Sequence, residues 1–595
     1  MPVTTLRDRF IRPLLVVLAL GTAAVPTAAQ DFLSLFHQSP TGNYVAGQQA
    51  LADLDTAEAA RFFMAAAESD WENPILVERA FVGLAIDGQI GRAASTAKHL
   101  LTLDPANELA QLVLATEALK ERRYPASEQM LVSMGQDSFT GITGALLRAW
   151  ALIGQNKADE ADALMQELGQ TGLADFLVFH RALMAEASGD AQTAVKLAAQ
   201  AYEAEPFVAR IVEFYARVLA NAGQFERAQE VIDAYTNQGL NHPVVRIVGE
   251  SIAAGQRPGI FASNVQVGAA EMYHGIGVAL ARDGSRDLAI VYLRLALYLD
   301  PSADVVALAL GQLFDEADRH EAANAIYDAI PAMSPMKPTA VVRIANNLDA
   351  MGEREEAIRR LNNIIATRPD DLEAVSVLGD ILRYDEQYAE AAEAYTKAIE
   401  ITGGDSPADW RFYYVRAIAY ERNQQWDLAE ADFLKALELN PDQPQALNYL
   451  GYTWVDKGMH LQRALEMIEK AVEAQPQDGY IVDSLGWAFY KLGRLDEAVD
   501  VLEQAVQLLP NDAEINDHLG DAYWKVGRHL EARFQWNIAA SVDEEGNVRE
   551  RVAAKLENGL TPDTDTEAAA EATPAAESQK REAETVEPAE AEPET

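Results

Sequence analysis

Along most of the chain, apolar residues recur at intervals of three and four, the spacing that gathers them on one face of an α-helix. The pattern is sharpest between Pro444 and Glu545. There the phrases LNYLGYTWVDKG, IVDSLGWAFYKLG and INDHLGDAYWKVG each open an amphipathic segment, and a second amphipathic segment follows each of them. Gly451, Gly486 and Gly520 mark the register, 35 and 34 residues apart. Three residues after each comes a large aromatic (Trp454, Phe489, Tyr523), and then a turn glycine (Gly458, Gly493, Gly527). The second segment carries a small residue (Ala464, Ala498, Ala532), a bulky one (Ile468, Leu502, Trp536) and another alanine (Ala471, Ala505, Ala539). Small residues let antiparallel helices approach closely, so each unit predicts a helical hairpin that buries its apolar side against its neighbours.

This pattern resembles the tetratricopeptide repeat, two antiparallel helices in roughly 34 residues. Followed backward, the register predicts eight carboxyl-terminal repeats over 270–546, with extra residues around GGDSP placed in a turn. About six further repeats are expected over 31–242. Those at 74–107, 175–208 and 209–242 fit well, whereas 40–73, 108–141 and 142–174 fit by helical period alone. Between the halves, 243–269 supplies one apolar helix and then GQRPGIFASNVQVGAA, read as an irregular hinge, the alternative being an oversized turn. The expected fold is therefore all-α, an α-α superhelix of about 14 hairpins in two arcs. A capping helix is expected over 547–560, covering the apolar side of the last repeat. The tail, 561–595, has eleven acids, two bases and little to bury, and is expected to be disordered.

Composition narrows the partners. The formal net charge of -44 argues against sequence-independent binding to nucleic acid and against docking on anionic lipid. Residues 1–30 have a basic lead (Arg7, Arg9, Arg12), an apolar run from Leu14 to Ala24 and small residues through Ala29. They read as a secretory signal peptide, since eleven residues are too few to span a bilayer; the alternative is an uncleaved anchor. The chain has no Cys, so it forms no disulfide and carries no lipid-modified cysteine. A periplasmic address follows, with no transmembrane span once the signal is removed.

His320-Glu321-Ala322-Ala323-Asn324 begins like a zinc-protease helix but has Asn324 where the second histidine would stand. No phosphate-binding glycine loop and no nucleophile elbow occurs, so neither catalysis, a metal nor a cofactor is expected. A binding surface is expected instead. At about 100° per residue, positions four, seven, eight and eleven of each repeat face the partner helix, while two, five, nine and twelve point elsewhere, into the groove. From residue 410 onward the second set includes Tyr414, Asn448, Tyr452, Asp483, Trp487, Tyr490, Asp517, Asp521 and Trp524. Aromatic faces bury apolar side chains, and Asn or Asp bonds peptide backbone, so the set suits capture of protein segments. The plain alternative is that these aromatics fill the spaces between repeats.

The run from LNYLGYTWVDKG through INDHLGDAYWKVGRHLEARFQW also resembles a proteobacterial family of exported tetratricopeptide proteins, weakly back to about Ala269. It is more distantly similar to the outer-membrane lipoprotein that binds a carboxyl-terminal processing protease. The resemblance implies an envelope scaffold, or an adaptor presenting substrates to such a protease; an assembly or polysaccharide-export subunit shares the same features. Modules of the family that clamp a terminal carboxylate use Lys, Arg and Asn in the groove. Asp483, Asp517 and Asp521 would repel that group, so a preference for neutral or basic segments is expected. An enzyme acting on peptidoglycan is the alternative from a different class.

Overall fold

A computed structural model describes residues 39–135, 138–169, 174–543 and 546–560. The signal peptide and the acidic tail lie outside the described residues. Within them the chain is all-α, with thirty α-helices and no strand. None of these helices is long and apolar enough to cross a membrane.

The chain divides into two compact units. The first comprises residues up to Asp190 together with Ala262–Ser302. Its helices are α1 (Pro40–Ala52), α2 (Thr56–Ser69), α3 (Pro74–Ile86), α4 (Ile90–Leu103), α5 (Glu108–Lys120), α6 (Tyr124–Val132), α7 (Phe139–Gly154), α8 (Ala158–Leu168) and α9 (Ala174–Ala187). The second unit begins with α10 (Ala191–Ala204), α11 (Ala209–Asn221), α12 (Phe225–Thr236) and α13 (Pro243–Ala253), and runs without helix to Phe261. The chain then contributes α14 (Val265–Arg282) and α15 (Arg286–Leu299) to the first unit.

From Ala303 the second unit resumes as seven hairpins. These are α16 (Asp304–Asp315) with α17 (His320–Asp328), α18 (Lys337–Ala350) with α19 (Arg354–Thr367), and α20 (Leu372–Tyr384) with α21 (Tyr388–Thr402). Next come α22 (Trp410–Arg422) with α23 (Trp426–Leu439) and α24 (Pro444–Asp456) with α25 (Leu461–Ala474). The last two are α26 (Gly479–Lys491) with α27 (Leu495–Leu508) and α28 (Ala513–Lys525) with α29 (His529–Val542), and α30 (Asn547–Asn558) packs on both members of the final pair.

The local chemistry follows the repeat. Asp478 caps α26 by accepting the backbone N–H groups of Tyr480 and Ile481. Midway along that helix, a Cβ added at Gly486 would meet Leu502 of α27 at 2.6 Å, so only glycine permits this approach. The turn between the two helices needs a left-handed residue, and Gly493 supplies it at φ 74°. The same turn is made by Leu54, Arg122 and Asn156 in the amino-terminal repeats, at φ 51°, 59° and 59°. These three repeats are the ones that fit by period alone; the three of that half that fit well turn on Gly88, Gly189 and Gly223. Near GGDSP, Gly403 and Gly404 are left-handed and Ser406 with Asp409 closes a capping box over a 3-10 turn (Pro407–Asp409), which absorbs the extra residues.

One element is assigned differently from the sequence reading, which counted 270–303 as the first of eight carboxyl-terminal repeats. The hairpin α14–α15 belongs to the first unit, where α14 packs on α7 and α9 and α15 packs on α3, α4 and α5. Gly268 lies against Trp150 and Gly275 against Phe176; a Cβ at Gly268 would sit 2.0 Å from the indole. Tyr273 and Thr116 share a hydrogen bond of 2.6 Å, Gln266 donates to the Leu119 carbonyl at 2.8 Å, and Lys120 donates to the Leu299 carbonyl at 2.9 Å. A helical period describes the hairpin itself; which wall receives it depends on contacts more than a hundred residues away in sequence.

The same interior holds His180, fully buried among Trp150, Phe176 and Phe179, with no hydrogen-bond partner on either ring nitrogen among the described residues. Burial pushes its imidazole down to about 4, although Glu271 pulls the other way.

Two tests follow from this packing. Gly268→Val is expected to destabilise the first unit by about 1–3 kcal/mol or more through overpacking against Trp150. Denaturant unfolding followed by hydrogen exchange in α7 and α14 reads the effect, and wild-type stability would mean the hairpin is not seated there. For His180 the unfolded chain binds the proton more readily, so stability is lost as pH falls from about 6.5 toward 4, by an amount on the order of 3 kcal/mol. His180→Phe should flatten that part of the pH profile of α9 protection; an unchanged profile would exclude His180 as its source.

Candidate functional site

The positions singled out from residue 410 onward are brought together along one wall of the second unit. They meet one another and the following helix rather than an open groove. Tyr414 is fully buried, edge-on to Phe433 and Tyr449 at 6.0 and 6.2 Å. Asn448 and Tyr452 are buried as well, and burial raises the Tyr452 phenol well above its ordinary range. Asp483 accepts from His518 Nδ1 at 2.9 Å, and Trp487 stacks between that imidazole, at 4.1 Å, and the Tyr490 ring, at 4.7 Å. Burial draws the His518 imidazole down, but Asp483, Glu514 and Asp517 outweigh it, and the net shift is upward. Trp524 is half-buried, stacked on His529 at 4.1 Å.

The carboxylates expected to face a ligand are satisfied from within. Lys555 of α30, wholly buried, donates to Asp517 at 2.8 Å and to Asp521 at 2.8 Å. Arg551 Nε donates to Asp517 at 2.9 Å and the same guanidinium pairs with Glu514. Trp536 Nε1 adds a bond to Asp521 at 3.0 Å. Burial pushes the Asp521 carboxyl up to about 6, whereas Lys555 and Arg551 overcome burial at Asp517 and leave it below its usual value. Asp517 and Asp521 are paired with Lys555 and Arg551, and Asp483 is bonded to His518, so none of the three stands open to repel an acidic segment as expected. The cause is geometric. A wheel drawn for one hairpin accounts for its partner helix and omits the first helix of the next unit, toward which position five turns: Tyr414 meets Tyr449, and Asp483 meets His518.

Arg551 and Lys555 escaped the sequence reading, which saw only a capping helix there. The signal was present: two bases four residues apart on NVRERVAAKLEN, opposite Glu514, Asp517 and Asp521 spaced three and four.

Toward the start of the same series of hairpins the inner positions are open. At position nine the residues run Gln312, Asn346, Asp380, Ile418, Tyr452, Trp487 and Asp521. Gln312 and Asn346 are exposed, the Asp380 side chain keeps 44% of its exposure, and the remaining four are buried. Asp380 accepts from Tyr395 at 2.7 Å and lies 3.7 Å from Arg383. This stretch of α16, α18 and α20 thus offers amides and a carboxylate to an incoming chain. Among the described residues no group of three or more His, Asp or Glu converges as a metal site; Asn324, in the zinc-like phrase, accepts a hydrogen bond from Asn347.

A series of helical hairpins with small residues at each crossing defines a repeat array. Comparison with known proteins gives its family. Residues 185–247, 270–302, 342–409, 410–443 and 486–527 match tetratricopeptide repeat models. The chain is a tetratricopeptide repeat protein, and such repeats indicate a protein–protein interaction scaffold. It is 28% identical over 193 residues to a TPR repeat-containing protein of Pseudomonas aeruginosa, covering 32% of each chain. It is 26% identical over 214 residues to the human protein O-mannosyl-transferase TMTC1, covering 36% of this chain and 24% of that protein. The chain spans a quarter to a third of the length of these curated relatives. Among solved structures, the APC/C hetero-tetramer Cut9–Hcn1 aligns over 90% of this chain and 99% of its own at 15% identity, with a TM-score of 0.37.

The pairing of α30 generates a test. Lys555→Met leaves Asp517 and Asp521 buried beside Arg551 alone, and is expected to cost about 3–5 kcal/mol. Hydrogen exchange across Asn547–Asn558 should rise sharply; protection equal to wild type would refute the lock.

Proposed function

We propose that the protein is a non-enzymatic scaffold of a bacterial cell envelope, holding extended or partner-protein segments along the inner wall of α16, α18 and α20. The observation that carries this reading is the accessible run Gln312, Asn346 and Asp380 at one repeat position. Amides and a carboxylate bond the main chain of an extended segment with little demand on its side chains. The basic lead and apolar run of residues 1–30 support export to the periplasm. The sharper version, an adaptor presenting substrates to a carboxyl-terminal processing protease, is supported by the resemblance of the repeats over 444–545.

Site-specific photocrosslinking tests the wall. A crosslinker placed at Asn346 or Asp380 is expected to trap envelope proteins in living cells, and one at Leu428, exposed on α23, is expected not to. Recovery of a processing protease with its substrates supports the adaptor. Equal capture from all three positions, or capture from Leu428 alone, would reject the wall as the binding surface, and peptidoglycan cleavage by the purified protein would overturn the non-enzymatic reading.

A further inference from the structure

Helix α11 already grips a non-helical segment, and the segment is the chain's own. Beyond α13 the backbone from Gln256 to Phe261 is non-helical. Arg217 Nη1 donates to the Pro258 carbonyl at 2.8 Å and Asn221 Nδ2 donates to the Gly259 carbonyl at 2.9 Å. The Phe261 ring lies edge-on to Phe214 at 5.5 Å, with the Arg210 guanidinium over its face at 4.3 Å. Arg210, Arg217 and Asn221 stand at positions two, nine and thirteen of their repeat, the inner side of the helix.

The gripping side chains are fixed before anything binds. Glu213, only 3% exposed, holds Arg210 at 2.6 Å and Arg217 at 2.8 Å, so both guanidinium groups are oriented and half of their charge is cancelled. The occupant is far less committed. Residues 253–257, 259 and 260 are exposed, Ile260 to 58%, and Gly259 adopts φ 84° with nothing near its α-carbon on the side-chain direction. What α11 reads is two successive carbonyls and an aromatic ring two residues beyond the second. None of this depends on the identity of Ile260, or on this stretch of chain being the source.

We infer that the inner face of α11 is a binding site for non-helical segments that present two successive carbonyls, the second on a glycine, and an aromatic side chain in that spacing, and that residues 258–261 are its resident, exchangeable occupant. The site stands independently of the wall formed by α16, α18 and α20, and either can fail without the other. A partner segment must displace the resident, so affinity is reduced by the high effective concentration of a tethered competitor.

The test uses the full chain and a fluorescent peptide of sequence GQRPGIFAS, residues 255–263. Phe261→Ala empties the ring position, and Gly259→Val disfavours the resident backbone without meeting any neighbour. Each variant is expected to bind the peptide about tenfold or more tighter than wild type by fluorescence anisotropy. The gain should vanish when the peptide's Phe is replaced by Ala, or when Arg217→Ala is added to the variant. Unaltered hydrogen exchange in α11 and α12 certifies the fold, and if one variant misfolds the other decides. Binding no tighter than wild type in the folded variants, or equal binding of the Ala peptide, overturns the proposal.

Discussion

The close approach of the two helices in each hairpin is the constraint on which everything else rests. In five of the seven carboxyl-terminal hairpins a glycine midway along the first helix receives a bulky side chain from the second: Gly311 receives Tyr327, Gly379 Tyr395, Gly451 Ile468, Gly486 Leu502 and Gly520 Trp536. A Cβ at any of these glycines would come within 2.2–2.8 Å of that side chain. The apolar area buried at such a crossing is large, yet no hairpin can cover its outer apolar positions alone, so each requires the next. The requirement propagates until something polar ends it. Here that is α30, which stands where another first helix would stand and meets the acids of α28 with Arg551 and Lys555.

The inner polar positions have three fates, and the repeat position does not choose among them. Asp517 and Asp521 are neutralised by the following helix and serve stability. Gln312 and Asn346 remain in water. On α11, Arg217 and Asn221 are spent on the chain's own carbonyls. What separates these outcomes is what each polar position meets: a helix with two correctly spaced bases, water, or a non-helical stretch that offers its carbonyls. A buried carboxylate without its cation would carry a large desolvation cost, which is why the acids of the last repeat and the bases of α30 occur together.

Much of the fold was legible residue by residue. The crossing glycines, the turn glycines and the capping acids declare helices, their ends and their pairing, because each acts on atoms within one hairpin. In the amino-terminal half legibility fell where the turn glycine was replaced: Arg122 and Asn156 adopt the left-handed turn at a modest cost in strain, whereas Gln424 does the same in a repeat whose other positions still declare the register. For the candidate site it fell further. A wheel places Asp483 and Trp487 on the side away from their partner helix, but it does not contain His518 from the next unit, which binds one and stacks on the other.

The sequence by itself determined the all-α class, the hairpin, its register over most of the chain and the family, since all of these depend on contacts within about 34 residues. Only the tertiary structure decided that the hairpin beginning at Val265 completes the unit containing Trp150 and Phe176, and that the acids of α28 are closed by α30 while the wall at Asn346 stays open. Those outcomes turn on which apolar or charged surface a segment meets at long range. Many surfaces of similar composition are available to an amphipathic helix, and the choice among them is made by shape, as when Gly268 leaves room for the Trp150 indole.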